Sequence, residues 1–423
     1  MTHAGPARTG ELSGTIELPQ SKSESNRVLV IKALCGTLTE STAAAGCDDS
    51  RLLKQALMAV CGSNRGEGVQ TTDIGHGAAP ARFLAAVMAG REGRSFILTG
   101  SDRLRERPFA PLTEALRELG ADIHYRGAEG HLPLLINGRT LHGGQVETDA
   151  GVSSQFISAL MLIGPTLCGG LEIRMRGTAV SRAYTRMTAE IMRRFGCEVQ
   201  TGERRIVIKE GRYTDRDYTP EGDWSAASFW YSLMAAAGRG ELTLKGLRQE
   251  SIQPDSRAAE VFARLGVRTE YTAEGVRITP RKHCTDAMTM DCTDVPDMAM
   301  PLITACCAKG VKFRLSGLRT LALKESDRLS AITEELHKFG FVLRQEGADV
   351  LTWDGERTPV REEMPTVKAR NDHRVAMSMV TMGWERRFAI DDADVVTKSY
   401  PDFWRHISEH IHIAGMPKQR NEI

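Results

Sequence analysis

"ALRELGADIHY" at residues 115–125, "IMRRFGCEVQ" at 191–200, "VFARLGVRTEY" at 261–271 and "ELHKFGFVLRQ" at 335–345 are four versions of one phrase. Each runs along an amphipathic segment onto a large apolar residue, then a glycine, then branched or aromatic residues. Glycine is the residue that takes the left-handed turn at a helix end, and branched or aromatic side chains suit a strand, so each phrase predicts helix, turn and strand. The glycines are Gly120, Gly196, Gly266 and Gly340, spaced 76, 70 and 74 residues apart. That period is too long for a solenoid and predicts a supersecondary α/β module used several times. A fainter copy ends near Cys61 and Gly62, and another unit fits the chain after Asn371.

A chain of 423 residues exceeds one ordinary domain, so two domains are expected. The polar stretch "EGRYTDRDYTPEGDW" at 210–224 is the candidate crossing between them, with Asp223 or Ser225 capping the next helix. Hydrophobic residues at 41% and charged residues at 26% describe a globular protein. The 55 Lys and Arg against 54 Asp and Glu leave no global field for a nucleic-acid backbone. Nine cysteines without a CxxC pair read as reduced thiols, with Cys306 and Cys307 in the core. The N-terminal residues lack an apolar signal core and no run is long enough to span a bilayer, so a cytoplasmic location is expected.

The charge that matters is local. "SKSESNR" places Lys22, Ser23 and Arg27 at a helix start, where a compact ammonium, a short hydroxyl and a planar guanidinium suit a phosphate or carboxylate. A solvated helix entry would read the same way. "VSSQF" sets Ser153, Ser154 and Gln155 before an apolar helix, and "AVSRAYTRM" sets Ser181, Arg182 and Tyr184 before another. Those hydroxyls suit either caps or a small polyol phosphate. In "LKESDR", a helical reading puts Lys324 and Arg328 on one face and Glu325 beside Arg328. "VPDMAM" offers Asp297 as a helix N-cap or a proton acceptor. "NDHRVAMS" brings Arg370, Asp372, His373 and Arg374 to a helix start, and "KSYPDFW" puts Lys398 in a turn before Pro401. His373 has no histidine or cysteine nearby, so a structural hydrogen-bonding role is expected rather than a metal. "GHGAAPARFLAAVMAG" at 75–90 predicts a helix with Pro80 in its first turn and Gly90 at its stop. Arg82, one turn in, adds to the positive helix end and would be matched by an anion there.

Taken in order, "SKSESNR", "VSSQF", "VPDMAM", "LKESDR", "NDHRVAMS" and "KSYPDFW" cover nearly the whole chain. This set closely resembles the 5-enolpyruvylshikimate-3-phosphate synthases, the 3-phosphoshikimate 1-carboxyvinyltransferases. The resemblance implies an α/β fold of two similar domains, each of three βαβαββ modules about an approximate threefold axis, with the active site in the cleft between them. It places one domain at 1–20 with 221–423 and an inserted domain at 21–220, with crossings near 18–21 and 216–223. The implied reaction moves the enolpyruvyl group of phosphoenolpyruvate to the 5-hydroxyl of shikimate 3-phosphate and releases phosphate, in the pathway to chorismate and aromatic amino acids.

By the same resemblance, Lys22, Ser23, Arg27, Ser153, Ser154, Gln155, Ser181, Tyr184, Thr320 and Lys324 meet shikimate 3-phosphate. Lys22, Ala78, Arg107 of "RLRERPF", Gln155, Arg328, Arg374 and Lys398 meet phosphoenolpyruvate. Asp297 acts on the 5-hydroxyl proton and Glu325 at the methylene carbon, with Lys22 counted among the catalytic groups. Two phosphates and two carboxylates call for several cations, and charge-assisted hydrogen bonds are worth roughly 1.5–3 kcal/mol each. Addition of an alcohol to an enol carbon needs a base at oxygen and an acid at carbon, which two carboxylates supply. No metal, redox cofactor or covalent adduct is called for, and a monomer without nucleic-acid or membrane partner is expected.

Some positions depart from the family pattern. "GHGAAPARFL" stands where the family has "GNAGTAMRPL", so His76 replaces asparagine and Ala78 and Ala79 replace a glycine–threonine pair. Gln20 replaces a glycine, and Thr320 an asparagine. The methyl of Ala78 narrows an anion pocket, so tolerance of glyphosate is expected. The alternatives are UDP-N-acetylglucosamine carboxyvinyl transfer and a non-catalytic anion-binding homologue.

Overall fold

Gly120, Gly196, Gly266 and Gly340 sit at φ of +94°, +87°, +88° and +87°, the left-handed region that a side chain with a Cβ avoids. Three of the turns close with the helix-ending bond expected of that geometry. The N–H groups of Ala121, Cys197 and Phe341 donate to the carbonyls of Leu116, Met192 and Leu336 at 2.9, 3.1 and 3.2 Å. Helices Ala110–Glu118, Arg182–Arg194, Ala258–Ala263 and Arg328–His337 thus hand the chain to strands Asp122–Tyr125, Val199–Thr201, Val267–Tyr271 and Arg344–Glu346. The fainter copy differs: Gly62 has φ of −64° and ends helix Asp48–Cys61 through a bond to the Met58 carbonyl, with no left-handed turn. The computed structural model describes residues 2–4, 11–62, 68–149, 151, 153–177, 182–282 and 285–412.

The four turns belong to four complete βαβαββ modules. In each, two parallel strands are joined by a helix, since parallel neighbours need a long crossover. A second helix, the glycine turn and an antiparallel pair of strands complete it. Strands Val69–Asp73, Ser95–Thr99, Leu134–Asn137 and Asp122–Tyr125 form one such sheet in that order, and His142–Asp149, Cys168–Arg176, Arg205–Ile208 and Val199–Thr201 another. Ala287–Asp291, Lys312–Ser316, Val350–Trp353 and Arg344–Glu346 make the third. In the fourth, Glu11–Glu17 pairs in parallel with Gly240–Lys245. Its crossover helix, Trp224–Ala237, comes some two hundred residues later in the chain. Asp223 caps that helix by accepting from the Ala226 N–H at 3.0 Å.

The chain divides into two compact units, Lys22–Pro220 and Met1–Ser21 with Glu221–Ile423. Lys22–Pro220 adds helices Lys22–Cys35 and Asp48–Cys61 to its two modules and buries Phe83, Phe96, Phe109, Phe156 and Phe195. Helices Ala78–Ala89 and Ser154–Ile163 are buried on nearly every face, which their alanine- and leucine-rich sequences permit. The other unit adds a small sheet of Thr2–Ala4, Phe388–Ile390 and Thr366–Val367, with helices His373–Met379 and Phe403–His410. Its core is built on Trp224, Trp230, Tyr231, Phe262 and Phe403, with Cys306 and Cys307 fully inside. Where its two chain passages run side by side, Ser21 N–H donates to the Glu221 carbonyl at 2.7 Å and Asp223 N–H to the Pro19 carbonyl at 2.8 Å. No helix of the described residues is long and apolar enough to cross a membrane.

Candidate active site

In the unit holding Glu221–Ile423, carboxylates from three loops meet on one guanidinium. Arg328 is 1% exposed and donates from Nε and Nη2 to the two oxygens of Asp372 at 2.8 and 3.2 Å. Its Nη2 also reaches Glu325 Oε2 at 2.8 Å, and its Nη1 reaches Asp297 Oδ1 at 3.1 Å. Burial alone would pull Arg328 below its ordinary pKa, but the carboxylates of Asp372, Glu325 and Asp297 hold it above. Around that centre, Lys398 Nζ lies 2.7 Å from Glu325 Oε1, and Arg374 Nη2 lies 3.1 Å from Asp297 Oδ2. Three carboxylates therefore face three cations. Asp297 and Glu325 each share their oxygens between two cations, which fixes the orientation of their lone pairs.

Local sequence explains the placement. Asp372 is the N-cap of helix His373–Met379, accepting from the Arg374 N–H at 3.0 Å, and Ser326 donates to its other oxygen at 3.0 Å. Just before it, Arg370 and Asn371 take φ of +56° and +55°, an uncommon backbone that turns the chain into the helix. His373 is buried beside it, with Nδ1 3.9 Å from Asp372 Oδ1. The helical reading of "LKESDR" is corrected. Asp327 caps helix Arg328–His337, so Lys324 and Glu325 lie in the bend ahead of it, and Glu325 meets Arg328 across the cap rather than along a face. Asp297 is likewise no cap: helix Ala299–Lys309 is entered from Met298 without a side-chain bond, which leaves the carboxylate to the arginines. Thr320 lies half-buried in the single turn Arg319–Leu323, directly ahead of Lys324.

In Lys22–Pro220 two arginines tie the predicted residues together. Arg27 is buried, with its pKa lowered to about 10 by loss of hydration despite the nearby Tyr184 and Glu24. It donates to Thr188 Oγ1 at 2.7 Å, Ser158 Oγ at 3.1 Å, and the Ser23 and Tyr184 carbonyls at 2.8 and 3.4 Å. It is thus a strut between three helices that holds Ser23 and Tyr184 in place. Lys22 Nζ is 3.1 Å from Asp49 Oδ2. Ser153 caps helix Ser154–Ile163 by accepting from the Gln155 N–H at 3.3 Å, and Ser154 is buried behind it. Ser181 lies outside the described residues.

Arg82 is tied to residues outside its own helix. Its Nη1 donates to Gln155 Oε1, its Nη2 to the Pro108 carbonyl at 3.4 Å, and its guanidinium stacks 4.4 Å from the Phe156 ring centroid. A buried arginine takes the partners that desolvation leaves to it, and here these are Gln155 and the carbonyl next after Arg107. Ala78, the first residue of helix Ala78–Ala89, and Arg107 are both buried, whereas His76 is exposed. Sequence reasoning gave no role to Asp372, whose signal was only that of a cap.

The fold is an α/β architecture of βαβαββ modules. It superposes on an EPSP synthase from Acinetobacter baumannii with a TM-score of 0.74, over 98% of this chain and 100% of that one, at 20% identity. A 3-phosphoshikimate 1-carboxyvinyltransferase from Bacteroides fragilis is 40% identical over 396 residues, covering 93% of this chain and 94% of that protein. Its counterpart from Tolumonas auensis is 33% identical over 417 residues, covering 93% and 95%. The model of EPSP synthase (3-phosphoshikimate 1-carboxyvinyltransferase) matches residues 6–407, and the chain belongs to that family.

Proposed function

We propose that this protein transfers the enolpyruvyl group of phosphoenolpyruvate to the 5-hydroxyl of shikimate 3-phosphate and releases phosphate. The observation that carries this reading is the pair of carboxylates, Asp297 and Glu325, hydrogen-bonded to one buried arginine with Lys398 and Arg374 at their outer oxygens. Asp297 takes the proton of the attacking hydroxyl as its oxygen bonds to the enol carbon. Glu325 delivers a proton to the methylene carbon, giving a tetrahedral ketal. Phosphate then leaves, and Glu325 takes the proton back from the methyl carbon to restore the double bond. Arg328, Arg374 and Lys398 are balanced by carboxylates, so an incoming anion competes with Asp297 and Glu325 for them. That competition favours protonation of both carboxylates while the substrates are bound.

In the other unit, Lys22, Ser23, Ser154, Gln155 and Tyr184 serve the shikimate phosphate and ring, and Arg107 with the backbone at Ala78 serves phosphoenolpyruvate. Arg27 and Arg82 support them from behind. Within the same reading the chain works as a monomer in the cytoplasm; among the described residues the large exposed apolar ones, Val69, Tyr271, Leu323 and Met364, are few and widely spaced in sequence. The test is phosphate release with each substrate omitted in turn and UDP-N-acetylglucosamine as rival acceptor. Release that requires both shikimate 3-phosphate and phosphoenolpyruvate supports the reading, and release with the nucleotide sugar alone as acceptor overturns it.

A further inference from the structure

A second charged cluster lies two turns along the helix that Arg328 begins. Glu335 of helix Arg328–His337 is fully buried, and a spacing of seven residues puts it on the same helix face as Arg328. Its Oε2 accepts from Lys338 Nζ at 2.5 Å and from the Lys368 N–H at 3.0 Å, while its Oε1 stands 3.6 Å from Arg370 Nη2. Lys338 Nζ also donates to the Thr366 carbonyl at 2.8 Å, and Arg370 also pairs with Glu334. The Asp391 carboxylate adds a further tie, accepting from the Ala369 N–H at 2.8 Å. The segment gripped in this way, residues 368–371, ends in Arg370 and Asn371 at φ of +56° and +55°. Two successive residues with a Cβ in the left-handed region are a strained arrangement, which persists only where the surroundings enforce it.

We propose that Glu335 is a positioning residue for Asp372 and Arg374: it holds residues 368–371 in the left-handed turn that aims Asp372 at Arg328 and Arg374 at Asp297. One helix face grips the returning chain twice, through Glu335 at Lys368 and Arg370 and through Arg328 at Asp372. The backbone links the two grips. Asp372 caps the Arg374 N–H at 3.0 Å, and the helix so started sets the Arg374 guanidinium 3.1 Å from Asp297. Without the carboxylate, Arg370 and Asn371 relax towards negative φ, which swings the helix start away from both partners. Glu335 needs no contact with substrate; it acts through the turn. The inference rests on the enolpyruvyl-transfer reading, in which Arg374 meets phosphoenolpyruvate.

Glu335→Gln keeps an acceptor for the Lys368 N–H and removes the charge that faces Arg370. Arg370→Ala and Arg370→Gly both remove the guanidinium, but only glycine takes the left-handed turn without strain. Phosphate release is resolved into kcat and a KM for each substrate, alongside the folded fraction. In Glu335→Gln the KM for phosphoenolpyruvate is expected to rise about fivefold or more, with that for shikimate 3-phosphate staying within about twofold. A loss of folded protein alone lowers kcat and moves neither KM. Arg370→Ala should raise the KM for phosphoenolpyruvate about threefold, and Arg370→Gly should raise it less, because the turn then needs less holding. Two KM values within about twofold of wild type in Glu335→Gln, or an alanine variant indistinguishable from the glycine one, overturn the proposal. If the wild type releases no phosphate, the enolpyruvyl reading fails, and amide hydrogen exchange still decides the positioning. The N–H groups of Lys368 and Arg374 should both exchange about tenfold faster in Glu335→Gln while those of strand Ala287–Asp291 keep the wild-type rate. Faster exchange at Lys368 with Arg374 unchanged overturns the proposal, since the turn then carries nothing onward to the helix start.

Discussion

Replacing Asp372 by asparagine tests whether the ion cluster holds its unit together. The side chain is fully buried and takes two bonds from Arg328, at 2.8 and 3.2 Å, and one from the Ser326 hydroxyl at 3.0 Å. It also caps the Arg374 N–H at 3.0 Å. Asparagine keeps the shape and the cap but leaves Arg328 buried with one counter-charge fewer. Breaking a buried pair by removing one partner costs roughly 3–5 kcal/mol. Glu325 and Asp297 still touch Arg328, so the lower end, about 3 kcal/mol, is expected. Asp372→Ala also loses the cap and should cost about 1 kcal/mol more. All five tryptophans, Trp224, Trp230, Trp353, Trp384 and Trp404, lie in this unit, so their fluorescence in urea reports on it alone. With a slope of about 3 kcal/mol per molar, the Asp372→Asn midpoint should fall by about 1 M. A midpoint within about 0.2 M of wild type, or an alanine variant no less stable than the asparagine one, would refute the argument.

Glu325→Gln removes the group assigned to the carbon proton while leaving an amide for Arg328. Its kcat should fall by at least about 100-fold with calorimetric binding of shikimate 3-phosphate retained, and near-normal turnover would remove Glu325 from the chemistry. Arg82→Lys puts a point charge where a planar fork holds Gln155, the Pro108 carbonyl and the Phe156 ring, so kcat/KM should drop about tenfold or more through KM. Unchanged KM values would show that Gln155 needs no support. Ala78→Gly removes a buried methyl at the helix start and should lower the glyphosate inhibition constant more than the KM for phosphoenolpyruvate; equal changes in both would contradict that. Asp255 loses its proton at about 7 when folded, against an ordinary 3.8, so the folded state binds the extra proton between those values. Its contribution to stability is therefore full below pH ~4 and lost as pH rises to about 7. Relative to wild type, Asp255→Asn should gain stability in urea as the pH goes from 5 to 8, and a constant difference would mean that Asp255 ionises normally.

The helix–glycine–strand phrases were legible because their information is local: a left-handed turn needs glycine wherever it occurs, and the residues on either side carry their own preferences. The cap at Asp223 and the helix starts at Lys22 and Ser154 were legible for the same reason. Harder to read was the segment Lys324–Arg328, where four-residue spacing suggested a helix face. Asp327 is a good N-cap rather than an interior residue, but a cap contact between Glu325 and Arg328 has the same spacing as a helical one. Gly62 shows the converse, since a glycine after a helix permits the left-handed turn without requiring it.

From the sequence alone came the repeated α/β module and the inventory of cations and carboxylates that two anionic substrates demand. Those rest on backbone propensity and on charge, which belong to each residue by itself. Tertiary structure alone decided the partners. Arg328 gathers Asp297, Glu325 and Asp372 from positions 31, 3 and 44 residues away, and Arg82 turns to Gln155 and Phe156. The energy of a buried charge depends on what else is excluded from water beside it, and packing of the whole unit determines that neighbourhood.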